Sequence, residues 1–282
     1  MTESGVAAGV PYVALPPRGG ARPDAPAVVA WHLLDAPRTE AAFAAAVPLH
    51  DLDAWRIYLG LPLSGSRMPA GGADEIQRRV MTDAVLELYR PVAGEAADEF
   101  PAALAAVRAE LGIADGPIGL MGGSMGSLAA QLALVAGAAE VRAAVLVSPV
   151  VRLRDTIDAL SAVHGMTYSW SAESSEFAAR ADFVARAGEV AGTPVLVITG
   201  EHDLRDAFLT PAEAYVSQLH RLGTTAEHAV VPGMRHALAD EPGIEPAPQT
   251  AHAAEVDRLA TAWFAAHLVE PASPLPRRNA LT

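Results

Sequence analysis

Three glycines placed around one serine constrain this chain more than any other feature of its sequence. The stretch begins at Ile118 and reads IGLMGGSMGSLAAQLAL. The apolar run before the glycines predicts a strand, and the leucine-alanine pattern after them predicts a helix. Gly122, Ser124 and Gly126 match the pattern G-x-S-x-G, in which a serine projects from a turn too tight for flanking side chains. The stretch therefore predicts a strand–turn–helix unit with a hydroxyl at its corner.

The remainder of the chain alternates short apolar runs with longer helical patterns. Strands are predicted from runs that start at Val10, Pro26, Ala54, Pro117, Arg142, Thr193 and Ala226. Helices are predicted over 73–92, 95–112, 127–139 and 251–268, with Pro91 and Gly112 ending the first two. The apolar runs are nearly continuous in valine, isoleucine and leucine, which is typical of parallel strands covered on both faces. We therefore predict an α/β fold, a doubly wound and mostly parallel sheet with helices on both faces.

Domain organisation follows from the spacing of these runs. Residues 1–282 are predicted to form a single α/β domain, because no internal repeat or linker interrupts the alternation. Residues 150–192 lie between two predicted strands and are longer than one crossover helix requires, so we expect a small helical cap there. Residues 270–282 are rich in proline and polar residues, and we expect a tail ordered only where it touches the body.

Composition excludes several kinds of chemistry. The chain has no lysine and no cysteine, and all 20 basic residues are arginine. Schiff-base lysines, serine–lysine dyads, thiol nucleophiles and cysteine metal sites are therefore excluded. The histidines show no metal-binding spacing, so we expect neither a metal nor another cofactor.

Charge and hydropathy also limit the partners. A net charge of −13 disfavours nucleic acid and anionic membrane surfaces. The first residues lack the pattern of a signal peptide, and no apolar run is long enough to span a membrane. We expect a cytoplasmic enzyme that acts on a small molecule.

A serine hydroxyl needs a base to become a good nucleophile, and two later loops offer a base and an acid. Asp203 follows the run VLVITG, and His236 follows AVVPG. Because the carboxyl ends of parallel strands meet at one edge of a sheet, both side chains should lie beside Ser124. His236 would then take the proton from Ser124, and Asp203 would hold the imidazole. Asp206 is the alternative for the acid.

The motifs GGSMG, GEHD and GMRHAL stand at three predicted strand ends, and over residues 26–268 the chain resembles the α/β-hydrolase superfamily of serine hydrolases. The resemblance implies a catalytic triad of Ser124, Asp203 and His236 that works through an acyl-enzyme. It implies an enzyme similar to esterases or to dienelactone hydrolases. The latter normally use cysteine, so here the nucleophile would be serine. Some peptidases share the same triad.

The oxyanion hole combines one regular and one unusual element. The helix that starts beside Ser124 presents the amide of Met125 to the reacting carbonyl. The family's second amide lies in a loop that often reads His-Gly-x, whereas the stretch WHLLDAP has Leu33 at the glycine position. By position Leu34 matches the donor, with Leu33 as the alternative. Bulky residues here are expected to narrow the acyl side of the cleft. The family also usually has two strands before the strand that ends in this loop, and only the one from Val10 is evident.

Four other residues are candidates for the substrate pocket. His32 ends a strand beside the presumed oxyanion loop, where it either lines the pocket or is buried and hydrogen-bonded. Met166, Tyr168 and Trp170 lie in the predicted cap, where they either roof the pocket or pack between helices.

Three functions are compatible with these features. The first is hydrolysis of a carboxylic ester or similar activated acyl compound. The second is peptide or amide cleavage on the same fold, and the third is binding of a small molecule without turnover. Fold and triad do not by themselves choose the substrate.

Overall fold

The computed structural model describes residues 2–269 and builds them around one sheet. The eight strands within these residues are β1 (Glu3–Ala7), β2 (Val10–Leu15), β3 (Ala27–Trp31), β4 (Trp55–Leu59), β5 (Ile118–Gly123), β6 (Val141–Val147), β7 (Val195–Gly200) and β8 (Ala226–Val231). They lie in the order β1-β2-β4-β3-β5-β6-β7-β8. The pairs β1–β2 and β2–β4 are antiparallel, and all other pairs are parallel. The predicted α/β fold is confirmed, and the predicted tail at 270–282 lies outside the described residues.

Helices cover the sheet between these strands. The α-helices of the described residues are α1 (Glu40–Ala46), α2 (Gly72–Ala84), α3 (Glu95–Leu111), α4 (Met125–Val135), α5 (Leu153–Val163), α6 (Ala172–Arg180), α7 (Thr210–Arg221) and α8 (Ala251–Phe264). Three π-helical segments occupy Val85–Gly94, Arg205–Leu209 and Ala265–Val269. Two short 3₁₀ turns occupy Gly65–Arg67 and Ala187–Val190.

Strand β3 shows why a continuous apolar run belongs in this sheet. All five of its residues are buried. Val29 and Trp31 pack into one apolar core, whereas Val28 and Ala30 pack into the other, on the opposite face. Since successive side chains of a strand alternate between faces, only a strand covered on both sides needs apolar residues at every position.

The first strand, β1, is absent from the sequence prediction. It pairs with β2 through a tight turn in which Ala8 and Gly9 have φ values of 50° and 87°. Positive φ at both positions is typical of a two-residue hairpin. The strand lies at the edge of the sheet with most of its residues exposed. Its sequence, ESGVA, therefore carries no apolar run by which it could be identified.

The helix predicted over 73–92 breaks at Asp83 rather than ending at Pro91. Asp83 has an extended backbone, and its carboxylate accepts a hydrogen bond from the Leu86 amide at 2.8 Å. This side-chain acceptor starts a new helical segment, as capping residues do. Pro91 lies inside the π-helical segment that follows and runs directly into α3. Gly112 does end α3, in a left-handed conformation with φ 67°, so that predicted stop is confirmed.

The segment predicted as a cap, 150–192, holds α5, α6 and a 3₁₀ turn. Thr156 of α5 donates a hydrogen bond to the carbonyl of Ala207 at 3.1 Å, which anchors α5 beside the loop after β7. Helix α6 packs on the π-helical segment Val85–Gly94. The cap role of this segment stays a prediction.

Candidate active site

Three side chains from three loops meet at the carboxyl edge of the sheet. Ser124 directly follows β5, Asp203 follows β7 and His236 follows β8. The Nε2 atom of His236 lies 2.7 Å from the Oγ atom of Ser124, and its Nδ1 atom lies 2.9 Å from the Oδ1 atom of Asp203. Because a carboxylate only accepts, Nδ1 carries the proton and Nε2 is free to accept from the serine hydroxyl. The arrangement can therefore move a proton from Ser124 to His236.

The serine sits on a strained corner. Ser124 has φ 47° and ψ −112°, a conformation that residues with side chains rarely adopt. Its amide donates to the carbonyl of Val147 at 2.8 Å, and its carbonyl accepts from Ser127, the two bonds that hold the turn. A strain of this kind costs about 1–3 kcal/mol and persists only where surrounding structure enforces it.

Glycines enforce that corner because backbones approach one another too closely for a Cβ atom. A Cβ atom on Gly122 would lie 2.2 Å from the carbonyl oxygen of Gly126. One on Gly126 would lie 2.3 Å from the carbonyl oxygen of Trp31, at the end of β3. Both distances are far below van der Waals contact, so the predicted reason for these two glycines is confirmed.

The acid beside the imidazole is Asp203. Its side chain is 1% exposed, and its Oδ1 atom also accepts from the amide of Leu204 at 3.1 Å. The Oδ2 atom is buried with no hydrogen-bond partner among the described residues. Asp206, the alternative, lies on the exposed side of the π-helical segment that follows. The structure thus brings Asp203, and not Asp206, to His236.

Several groups act on the charge of His236. Burial lowers the pKa of its imidazole, but the hydrogen bond and charge of Asp203 and the charge of Asp35 outweigh burial, so the pKa is raised above its ordinary value. The ring of Phe208 packs against the imidazole with centroids 4.3 Å apart. The site therefore stabilises the imidazolium that would form when His236 takes a proton.

Backbone amides suitable for an oxyanion lie beside the serine. Met125 is the first residue of α4, so its amide points out of the positive end of the helix. Among the described residues, neither this amide nor those of Leu33 and Leu34 donates to another protein group. The assignment of these three residues as oxyanion donors stays a prediction.

Leu33 does not narrow the cleft, contrary to the sequence expectation. Its side chain is fully buried in the apolar core that also contains Val28 and Ala30 of β3. A Cβ atom on Gly123 would lie 2.4 Å from Leu33, so this third glycine leaves the space that the leucine fills. The bulk at the usual glycine position is directed into the core, not toward a substrate.

Leu34 instead borders a cavity of about 480 Å³. The apolar part of its lining includes the side chains of Leu63, Met68, Ile76, Leu88 and Ile244. Arg38 and Glu241 also line it and form an ion pair with an N–O distance of 2.7 Å. A volume of this size, with mostly aliphatic walls, is typical of small-molecule sites.

His32 is a buried structural residue and does not line that cavity. It is completely buried, its Nδ1 atom donates to the carbonyl of Leu33 at 2.6 Å, and its Nε2 atom accepts from the amide of Leu61 at 3.1 Å. Burial lowers the pKa of His32 to about 4, which keeps the ring neutral. Of the two alternatives for His32, the structure shows the buried and hydrogen-bonded one, because both ring nitrogens are used to join two loops.

The predicted roof residues also lie away from the cavity beside Leu34. Met166 and Tyr168 border a separate groove with the end of α2, and the Tyr168 hydroxyl donates to Asp83. Trp170 donates to Asp158 at 2.8 Å and stacks under Arg154. Tyr168 and Trp170 thus pack this segment against its neighbours, which is the packing alternative, whereas Met166 is exposed.

Two classes of site are not found in residues 2–269. No group of three or more histidine, aspartate or glutamate side chains there could hold a metal ion. No helix in the same range is long and apolar enough to cross a bilayer.

Sequence reasoning missed one charged residue at the site. The Oδ2 atom of Asp35 lies 3.7 Å from the Nε2 atom of His236. Asp35 immediately follows Leu34, so its place next to the predicted oxyanion loop was the available signal.

Comparison with known proteins agrees with this geometry. A model of the prolyl oligopeptidase family matches residues 87–269, which include all three of the hydrogen-bonded side chains. No curated protein sequence matches the chain.

Many solved structures share the fold, and three of them illustrate the similarity at low sequence identity. TT1662 from Thermus thermophilus has a TM-score of 0.64 at 18% identity, with 94% of this chain and 96% of that chain covered. A dienelactone hydrolase from Anabaena variabilis has a TM-score of 0.58 at 18% identity, with 95% and 97% covered. The acylaminoacyl peptidase of Pyrococcus horikoshii has a TM-score of 0.63 at 15% identity, with 97% and 42% covered. This chain thus spans less than half the length of that peptidase.

Substitution Gly126→Ala is expected to destabilise the protein by about 3 kcal/mol, because the added methyl group overlaps the carbonyl oxygens of Trp31 and His32. Urea unfolding measures the change. The control is Gly188→Ala, an exposed helical position where a Cβ atom would meet no other atom within 4 Å. Equal midpoints for the two variants would contradict the close approach at Gly126.

Substitution Asp203→Asn is expected to lower kcat by roughly 10³–10⁴-fold, because an amide no longer holds the imidazole in the required tautomer. Asp206→Asn should leave kcat within about twofold, since its side chain is exposed and the imidazole is hydrogen-bonded to Asp203 and Ser124 instead. Hydrolysis of p-nitrophenyl acetate by the two variants, each checked for a native melting temperature, makes the comparison. A larger loss in Asp206→Asn would move the acid to that residue.

Proposed function

Because the chain belongs to the prolyl oligopeptidase family, within the α/β-hydrolase superfamily, we propose that it cleaves a carboxylic ester or similarly activated acyl compound through an acyl-enzyme. The observation that carries the proposal is the unbroken line of hydrogen bonds from Ser124 through His236 to Asp203. Such a line of hydrogen bonds activates a serine hydroxyl as a nucleophile.

The proposed reaction uses each of these groups in turn. The Oγ atom of Ser124 attacks the ester carbonyl carbon while its proton passes to the Nε2 atom of His236. The amides of Met125 and of Leu34 or Leu33 bind the negatively charged oxygen that forms. When the bond to the leaving oxygen breaks, His236 gives its proton to the departing alcohol. Water then attacks the acyl-enzyme by the same route, which releases the acid and returns the proton to Ser124.

A second candidate is cleavage of a peptide or amide. The description of the matching family and the similarity to an acylaminoacyl peptidase favour it. The near-complete mutual coverage with the dienelactone hydrolase favours the ester, since only part of the peptidase corresponds to this chain. Turnover of a p-nitrophenyl ester and a p-nitroanilide with the same acyl group separates the two candidates, and we expect the ester to react much faster.

The cavity beside Leu34 is proposed to take the apolar part of the substrate. Its aliphatic walls bind a compact group by excluding water from it, at up to about 0.8 kcal/mol for each methylene. Its volume of about 480 Å³ is finite, so the gain stops when the cavity is full.

A fluorophosphonate is expected to label Ser124 and no other residue, because among the serines of residues 2–269 it alone has a histidine nitrogen within hydrogen-bond distance of its hydroxyl. Mass spectrometry of the labelled protein locates the adduct, which Ser124→Ala should lack. The matched control is Ser148→Ala, another buried serine with positive φ at a strand end, whose hydroxyl has no hydrogen-bond partner among the described residues. Labelling that survives Ser124→Ala would refute the nucleophile.

Among esters with two-, four-, eight- and twelve-carbon acyl groups, kcat/KM is expected to be highest at eight carbons or fewer. Each added methylene that fits raises kcat/KM by up to about fourfold, and those beyond the cavity add nothing or clash. Initial rates with p-nitrophenyl esters measure the series, with detergent-free solubility checked at each length. A continuous rise to twelve carbons would show that the acyl chain runs through an open channel instead.

A further inference from the structure

The carboxylate of Asp35 lies beside the reacting pair of Ser124 and His236. The Oδ2 atom of Asp35 is 3.7 Å from the same Nε2 atom that faces the hydroxyl of Ser124. The Asp35 side chain is 53% exposed, and no arginine among the described residues forms an ion pair with it. Burial raises the pKa of the Tyr89 hydroxyl, and the negative charge of Asp35 nearby raises it further. Asp35 is therefore open to a ligand in the cleft.

Backbone contacts hold Asp35 in this place. The carbonyl of the next residue, Ala36, accepts from the amides of Leu238 and Ala239 at 2.9 and 3.2 Å. The amide of Arg38 donates to the carbonyl of Gly243 at 2.7 Å. A Cβ atom on Gly243 would lie 2.4 Å from Ala36, so the two loops touch directly. Asp35 is fixed relative to His236 and is not a side chain on a free surface loop.

The geometry does not fit a role for Asp35 in orienting the imidazole. That role belongs to Asp203, which bonds the protonated Nδ1 atom. Asp35 faces Nε2, which must accept from the serine, and a separation of 3.7 Å is too long for a hydrogen bond. A negative charge here also opposes the negative charge that develops on the substrate oxygen. The carboxylate therefore favours the imidazolium but opposes the oxyanion, and it repels an anionic substrate.

We propose that Asp35 selects substrates that carry a cationic group, an ammonium or quaternary ammonium, a few bonds from the scissile carbonyl. Such a group would neutralise the carboxylate and remove its opposition to the oxyanion. The net charge of −13 adds a long-range attraction for cations. This proposal rests on the proposed hydrolase function and names the substrate class of the same site.

Two pairs of esters with equal shape test the proposal. On the alcohol side the pair is choline butyrate and 3,3-dimethylbutyl butyrate. On the acyl side it is the p-nitrophenyl esters of 4-(trimethylammonio)butyric acid and 5,5-dimethylhexanoic acid. In each pair a quaternary nitrogen replaces a quaternary carbon, so the ratio of kcat/KM values reports charge alone. The pair that shows the preference identifies the side of the scissile bond on which the cation lies.

The wild-type protein is expected to prefer the cationic member of one pair by about two- to fivefold, the range for an exposed ion pair. Asp35→Asn should bring that ratio close to one. The control Asp240→Asn, which removes an exposed carboxylate of the His236 loop, should leave it unchanged. Equal ratios in wild type and Asp35→Asn, or an equal loss with all four esters, would overturn the proposal.

A pH profile and an inhibitor pair complete the test. Asp203 and Asp35 are the ionisable groups that raise the pKa of His236. With the neutral esters the acid limb of kcat/KM in Asp35→Asn should therefore shift to lower pH.

If no ester is turned over, the proposed function fails, but binding still tests Asp35. 3-(Aminomethyl)phenylboronic acid should then bind more tightly than 3-ethylphenylboronic acid to wild type and equally to Asp35→Asn, and equal binding to wild type would refute the cation preference.

Discussion

The close contact between the serine corner and the end of β3 is the constraint on which the site depends. The backbone of Gly126 lies against the carbonyls of Trp31 and His32, with no space for a side chain between them. This contact brings the start of α4 and the loop after β3 to opposite sides of one small space. The free amides of Met125 and Leu34 belong to those two elements. Their proximity is a consequence of backbone packing, which is less tolerant of change than any side-chain contact.

Backbone hydrogen bonds between loops also fix the positions of the acid, Asp203, and the base, His236. The amide of His202 donates to the carbonyl of Met234 at 2.9 Å, and a Cβ atom on Gly200 would lie 2.3 Å from that same carbonyl oxygen. On its other side the His236 loop is bonded to the loop after β3 through Ala36. The candidate site is thus built from loops but held with the rigidity of the sheet, which keeps distances suitable for proton transfer.

The charges around His236 have different positions and therefore different consequences. Asp203 is buried and bonds Nδ1, where its charge favours the imidazolium without touching a substrate. Asp35 is half exposed and faces Nε2, where it acts on the imidazole and on any group that enters the cleft. The first position serves proton transfer for every substrate, whereas the second discriminates among substrates by their charge.

Much of the architecture follows from the sequence because it depends on local patterns. Continuous apolar runs identify the buried parallel strands, and G-x-S-x-G identifies the corner at Ser124. Strand β1 is not identifiable, because an edge strand that is mostly exposed needs no apolar pattern. The break at Asp83 is hidden because one side-chain hydrogen bond, not a proline, starts the next helical segment.

At the site, the sequence by itself determined which residue types and which chain order are available: a serine on a glycine corner, then an aspartate and a histidine at later strand ends. Only the tertiary structure decided between Asp203 and Asp206, directed Leu33 into the core against Gly123, buried His32 between two loops and brought Asp35 to the imidazole. The reason is physical. Local sequence sets backbone conformation, whereas the direction and burial of a loop side chain depend on contacts with residues distant in the chain.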